Sequence, residues 1–119
     1  MLLNVSNHPL SEWTTEQVSQ ATKTYGEICD IPFAQVPPDC DEAEIIRIAR
    51  DIVKTCMNRI HEKNEPVAIH VMGEMTLNYA LVRLFQQNGL ECIASVTERK
   101  YKLSGSGYVF LGFRKYPVL

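Results

Sequence analysis

A chain of 119 residues with 45% hydrophobic and 22% charged residues has the length and composition of one globular domain with its own core. Its formal charge of −2 excludes a protein that coats DNA or RNA through a basic surface, but not one that holds a small anion with a few local cations. No apolar run reaches the length of a membrane span, and the opening MLLNVSNHPL lacks the basic start and apolar stretch of a secretory signal. The four cysteines, Cys29, Cys40, Cys56 and Cys92, are scattered, without a Cys-x-x-Cys pair or nearby histidines. That is the pattern of packed thiols, not of a zinc or redox site. The expectation is a cytoplasmic protein without metal or cofactor.

In chain order, Leu2 to Ser6 is the first predicted strand, ended by Asn7, His8 and Pro9, since the proline disfavours further pairing. Trp13, Thr14 and Gln17 read as an apolar residue followed by a capping box. Val18, Ala21 and Tyr25 then recur at helical spacing up to Gly26, a C-cap residue. EICDIPF, residues 27–33, predicts a short second strand interrupted by Pro32, a proline that suits an edge strand or a strand end. QVPPDC is a loop. Asp41 with Glu44 then opens a second helix over about residues 42–62. Its stripe of Ile45, Ile48, Ala49, Ile52, Val53, Cys56, Met57 and Ile60 keeps the 3.6-residue period.

VAIHVM, residues 67–72, is a nearly continuous apolar run, as in a central parallel strand covered on both faces. Gly73 and Glu74 precede a third helix marked by Leu77, Ala80, Leu81, Leu84 and Phe85 and closed by Gly89. ECIASV, residues 91–96, predicts a fourth strand that stops in the polar TERK of residues 97–100. After the turn-prone SGSG comes GYVFLGFRKY, a fifth strand. It pairs antiparallel with the fourth, because so short a connection cannot make a parallel crossover.

The order β-α-β-α-β-α-β-β predicts a single α/β domain over residues 1–119. The expected architecture is a three-layer α/β/α Rossmann-like sandwich. Its mostly parallel sheet has the order 2-1-3-4-5, with an antiparallel C-terminal edge strand.

Open sheets of this kind bind ligands beyond the carboxyl ends of their strands. The first strand brings Ser6, Asn7 and His8 to that edge, and the second brings the loop after Phe33. The third brings Gly73, Glu74 and Thr76, and the fourth brings Ser95, Thr97, Glu98 and Arg99. These groups suit a nucleotide-like ligand. Gly73 permits close backbone approach where free N–H groups favour an anion. Arg99 can grip a phosphate through paired donors, with Lys100 or Lys102 adding charge. Asn7 and Thr97 can bond a base or ribose, and His8 is a candidate general acid or base. Glu74 would repel a phosphate, and fits a ribose hydroxyl or proton transfer better.

Each piece also has a plain structural reading. SNHP is a turn with a capping role, and an acid after Gly73 is an ordinary helix start. TERK is a solvated strand end, and His70 a core or interface histidine with satisfied hydrogen bonds. Trp13 and Tyr25 read as core. The chain has no Walker loop, no G-x-G-x-x-G and no G-x-S-x-G.

NVSNHP with the following Trp13, HVMGE and CIASVTER together resemble the small stand-alone CRISPR-associated CARF-like proteins, the Rossmann-fold group that includes ring nucleases. The resemblance spans most of the chain in element order. It implies a homodimer that binds cyclic oligoadenylate, a nucleotide second messenger of antiviral defence, across its two-fold axis at the carboxyl edge of the sheets. It further implies cleavage of the ring without metal, with the ribose 2′-hydroxyl as nucleophile. Carried onto this chain, Asn7, Gly73, Thr76, Ser95, Thr97 and Arg99 are the ligand-binding candidates. His8 and Glu74 are the catalytic ones, on the chemistry of their side chains. A dimer doubles Arg99 around one ligand. Two other readings stay open. One is a non-enzymatic interaction module built on the edge strand 108–116, with Phe110 and Phe113 making the contact. The other is an enzyme acting on another nucleotide or an RNA end.

Overall fold

The alternation of strand-like and helical periods resolves, in the computed structural model, into β1 (Leu2–Ser6), α1 (Thr15–Tyr25), β2 (Ile28–Asp30), α2 (Glu42–Lys63), β3 (Ala68–Met72), α3 (Met75–Gln87), β4 (Glu91–Lys102) and β5 (Gly105–Lys115). One turn of 3-10 helix, Leu10–Glu12, precedes α1. The structure describes residues 1–33, 35–102 and 105–119. The five strands form one sheet in the order β2-β1-β3-β4-β5. β1, β2, β3 and β4 pair in parallel, and β5 runs antiparallel on β4. The predicted order and edge strand are both present. Because the chain passes from β1 out to β2 and then back across to β3, the topological switch point lies between β1 and β3.

Side chains alternate across the sheet and build two cores. Leu3, Val5, Ile69, Val71 and Cys92 face α2 and α3, where Leu77, Leu81 and Phe85 are fully buried. Each such side chain contributes roughly 1.5–3 kcal/mol through burial. Leu2, Ala68 and Ile93 face the other way, onto Ala21 of α1 and onto Trp13, which precedes that helix. The three layers follow from this division.

The helix ends obey their cap chemistry. Thr14 Oγ1 accepts the Gln17 N–H at 3.1 Å, and α1 closes at Gly26, whose φ of 84° suits a residue without Cβ. Asp41 Oδ1 accepts the Glu44 N–H at 2.9 Å at the start of α2. That helix ends at Asn64 in the left-handed region, φ 49°, a conformation asparagine tolerates.

Two strand boundaries differ from expectation. β2 is confined to Ile28–Asp30, shorter than the EICDIPF segment: the chain turns away before Pro32, the residue expected to interrupt it, once the Ile31 N–H has met the Asn4 carbonyl at 3.0 Å. β4 does not stop at Val96: Thr97, Glu98, Arg99 and Lys100 continue it, paired with β5. Its pairing with β3 covers Glu91 to Ile93, so beyond Ser95 the β4–β5 pair leaves the sheet as a two-stranded ribbon. Val96 faces Gly112 and Thr97 faces Phe110, which makes Leu111 the extra residue of a bulge. The predicted SGSG turn begins at Ser104, which with Leu103 lies outside the described residues, as does the side chain of Lys102.

Candidate functional site

The turn after β1 is fixed from beneath. The Asn7 N–H donates to the Met72 carbonyl at 3.0 Å, tying the end of β1 to the end of β3 across the switch point. The His8 carbonyl accepts from Asn4 Nδ2 at 2.8 Å and from the Trp13 indole N–H at 3.0 Å. The side chains of Asn7 and His8 are left exposed, and His8 Nδ1 lies 3.7 Å from Glu12 Oε2. SNHP is thus a braced turn that presents two polar side chains.

Beneath it a line of polar side chains crosses the sheet on the α1 face. Asn4 Nδ2 also donates to Asp30 Oδ1 at 2.9 Å, and both Asp30 oxygens accept the Leu10 N–H, at 3.1 and 3.2 Å. With its amide nitrogen so occupied, Asn4 turns Oδ1 toward the Ser6 hydroxyl at 2.7 Å and His70 Nδ1 at 2.9 Å. An amide oxygen only accepts, so His70 carries its proton on Nδ1. Nε2 is then the acceptor for the Ser95 hydroxyl at 2.7 Å, and Ser95 Oγ in turn accepts from Gln17 Nε2 at 3.0 Å. Burial, and secondarily the charge of His8, push the His70 imidazole down to about 4, so the ring is neutral at physiological pH. Trp13 stands edge-on to it, centroids 5.0 Å apart. His70 is a core histidine with both nitrogens satisfied, and it orients Ser95.

This network corrects one detail of α1. A capping box returns its third-residue side chain to the cap N–H, but the Gln17 amide nitrogen reaches Ser95 instead. The cap therefore rests on Thr14 alone, and Gln17 joins the helix to β4.

The β3–α3 turn is occupied by its own residues. The Glu74 carboxylate accepts from the Thr76 hydroxyl and from the N–H groups of Thr76 at 3.1 Å and Leu77 at 2.9 Å. Those bonds, the Thr76 hydroxyl first, hold the Glu74 carboxyl below the usual carboxylate range. The anion at this helix start is Glu74 itself. Gly73 serves a close approach, though to protein: a Cβ there would stand 2.5 Å from Phe33 Cζ. Phe33, from the loop after β2, thereby covers the end of β3. An open cleft beside it is lined by Ser6, Asn7, Asp30 and Phe33.

Ser95, Thr97 and Arg99 stand at alternate positions of β4 and so share one face. Ser95 is half-buried, and Thr97 and Arg99 are exposed. Opposite them on β5 are Phe113, Phe110 and Tyr108. Phe113 packs with its centroid 6.1 Å from Trp13 and 5.9 Å from His70, which identifies this as the α1 face. Phe110 is 5% exposed and meets Phe113 at 5.0 Å. The aromatics expected to make an outside contact therefore face inward. Among the described residues, the exposed large hydrophobic side chains of the strand are Tyr108 at 70% and Leu111 at 52%.

The residues singled out from the sequence thus form two groups: Asn7 and His8 with the β3–α3 turn at the switch point, and Ser95, Thr97 and Arg99 along the ribbon. Asn4 and Asp30 brace the first group, Phe33 covers its β3–α3 turn, Gln17 holds Ser95 of the second, and these supports were missed. The available signal was a polar residue at every second position of an apolar strand, as at Asn4 and Ser6.

Cys56 and Cys92 are buried free thiols, both pushed up to about 12 by burial. Among the described residues no three of His, Cys, Asp and Glu gather as a metal site, and no helix is long and apolar enough to cross a membrane. Residues 1–107 match the family described as the Uncharacterized protein MJ1673 family, and the chain belongs to that family. No curated protein matches the chain.

Proposed function

We propose that this protein binds a nucleotide second messenger of the cyclic oligoadenylate type, with two copies of the chain arranged around one ligand. The observation that carries the reading is the convergence of polar groups at the carboxyl edge. The turn presenting Asn7 and His8 is tied to the end of β3 at the switch point, and β4 runs on from the same edge with Ser95, Thr97 and Arg99 on one face. A switch point beyond parallel strands is where such folds bind nucleotides.

In this reading Arg99 takes a phosphate, Thr97 and Asn7 take base or ribose, and Ser95, held by His70 and Gln17, offers a pre-oriented hydroxyl. Thr76 and Gly73 border the ligand without gripping its phosphate, because Glu74 already fills the helix start. Of the two proton-transfer candidates His8 is the better placed, being exposed, whereas Glu74 is engaged by three donors. Cleavage would have His8 remove the ribose 2′-hydroxyl proton as that oxygen attacks the adjacent phosphorus. The 5′-oxygen then leaves and takes up a proton, and the new end is a 2′,3′-cyclic phosphate.

The test is incubation with a panel of cyclic oligoadenylates without metal, read by mass spectrometry and by melting temperature. Linear products lost in His8→Ala establish cleavage. Intact rings that raise the melting temperature, an effect lost in Arg99→Ala, establish a sensor or sink. If the rings are neither cleaved nor raise the melting temperature, the ligand class is wrong.

A further inference from the structure

We propose that Tyr108 is a stacking platform for a nucleobase, with Arg99 directly across the ribbon taking that nucleotide's phosphate; the inference deepens the nucleotide reading and rests on it. Directly opposed residues of an antiparallel pair share a face. The register therefore places Ser95 with Phe113, Thr97 with Phe110 and Arg99 with Tyr108 along one side of the ribbon. The aromatic row on that side changes character along its length. Phe113 is seated against Trp13, His70 and Tyr25, and Phe110 is 5% exposed and rests on Phe113. Tyr108, next in the row, is 70% exposed. A ring presented to solvent from a row anchored in the core is a positioned flat surface.

Charge is sorted between the two faces. Glu98 and Lys100 point to the other side, where their charged groups pair at 3.9 Å. Of the described strand residues on the Tyr108 side, from Ser95 to Arg99 and their partners, the polar groups are the Arg99 guanidinium and the hydroxyls of Ser95 and Thr97, beside the aromatic rings of β5. Cross-strand partners sit about 5 Å apart at Cβ, a span that lets one nucleotide place its base on one residue and its phosphate on the other. A protein contact would call for a contiguous apolar patch, and here, among the described side chains of the ribbon face, a single exposed ring is flanked by a cation and the Thr97 hydroxyl. Aromatic rings with interleaved cations are the chemistry that binds single-stranded nucleotides, and stacking accepts any base.

The test compares Tyr108→Ala, Tyr108→Phe and Arg99→Ala with the wild type by calorimetry, against the cyclic oligoadenylate panel and against ribose 5-phosphate, which has no base. Tyr108 is exposed enough that its truncation leaves the fold intact, as melting temperature will check. Tyr108→Ala is expected to weaken oligoadenylate binding roughly ten-fold or more while Tyr108→Phe retains it. Binding of ribose 5-phosphate should not change in Tyr108→Ala. If Tyr108→Ala binds oligoadenylate like the wild type while Arg99→Ala does not, the nucleotide site stands and the stacking platform is wrong. If the wild type binds no oligoadenylate, both fall together.

Discussion

His70 holds its place only while uncharged, because the ring is 1% exposed and its two nitrogens already serve Asn4 and Ser95. Its folded value of about 4 lies below the ordinary 6.5, so between those limits the unfolded chain binds a proton that the folded one refuses. The contribution of a neutral His70 is therefore complete above pH 6.5 and is lost as pH falls toward 4, by an amount on the order of 3 kcal/mol. His70→Gln removes the titration and costs about 1–3 kcal/mol at neutral pH through unmet hydrogen bonds. Chemical denaturation across this range should show the two stability curves converging toward pH 4; parallel curves would mean that the folded ring titrates normally. A second test concerns Gly73, where a Cβ would meet Phe33 Cζ at 2.5 Å. Gly73→Ala should cost about 1–3 kcal/mol. In the Phe33→Ala background the same change should cost far less, and additive costs would show that the two do not touch.

At the scale of elements, α3 and β4 show what a local pattern can and cannot convey. The apolar stripes of α2 and α3 were legible because the 3.6-residue period identifies the buried face without any partner. Glu74 was legible as an acid near a helix start, yet its three donors, one of them the Thr76 hydroxyl, make it the cap itself. Glu74→Ala should lower the melting temperature and speed amide exchange at Thr76 and Leu77. Because its folded value is depressed, the contribution is present above the ordinary carboxylate range and fades as pH falls through that lower value. Loss of ring cleavage at unchanged stability would instead make Glu74 a catalytic residue. β4 was misread for a physical reason. Strand signals rest on apolar alternation, and where Thr97 to Lys100 are exposed on both sides of β4 it gives way to alternation between two polar sets. Thr97 and Arg99 lie on one side, and Glu98 and Lys100 on the other. In the sequence that reads as an exit into solvent.

Across the whole molecule, the strand order was legible because the apolar runs of β1, β3 and β4 mark inner positions, whereas the buried polar line depends on register. Asn4 meets His70 only because β1 and β3 pair at that step, and no local window contains both. The same distance between local and global properties governs ligand capture. The chain carries a net charge of −2, so it repels a polyanion at long range, whereas in the proposed site Arg99 would attract the nucleotide at contact. Salt should act oppositely on the two stages. Raising ionic strength from about 0.01 M to about 0.15 M shortens the screening length from about 30 Å to about 8 Å. It should leave the association rate with cyclic oligoadenylate unchanged or slightly higher, and raise the dissociation rate as the Arg99–phosphate contact is screened. Stopped-flow mixing separates the two, and sedimentation counts the chains bound per ring, for which the expected ratio is two. A steep fall in association rate with salt would mean that a two-fold assembly gathers enough cations at the site to overcome the charge of the rest of the chain. The dimer would then have to precede the ligand. An association rate indifferent to salt, with the pair of chains appearing only when the ring is present, would place assembly after capture.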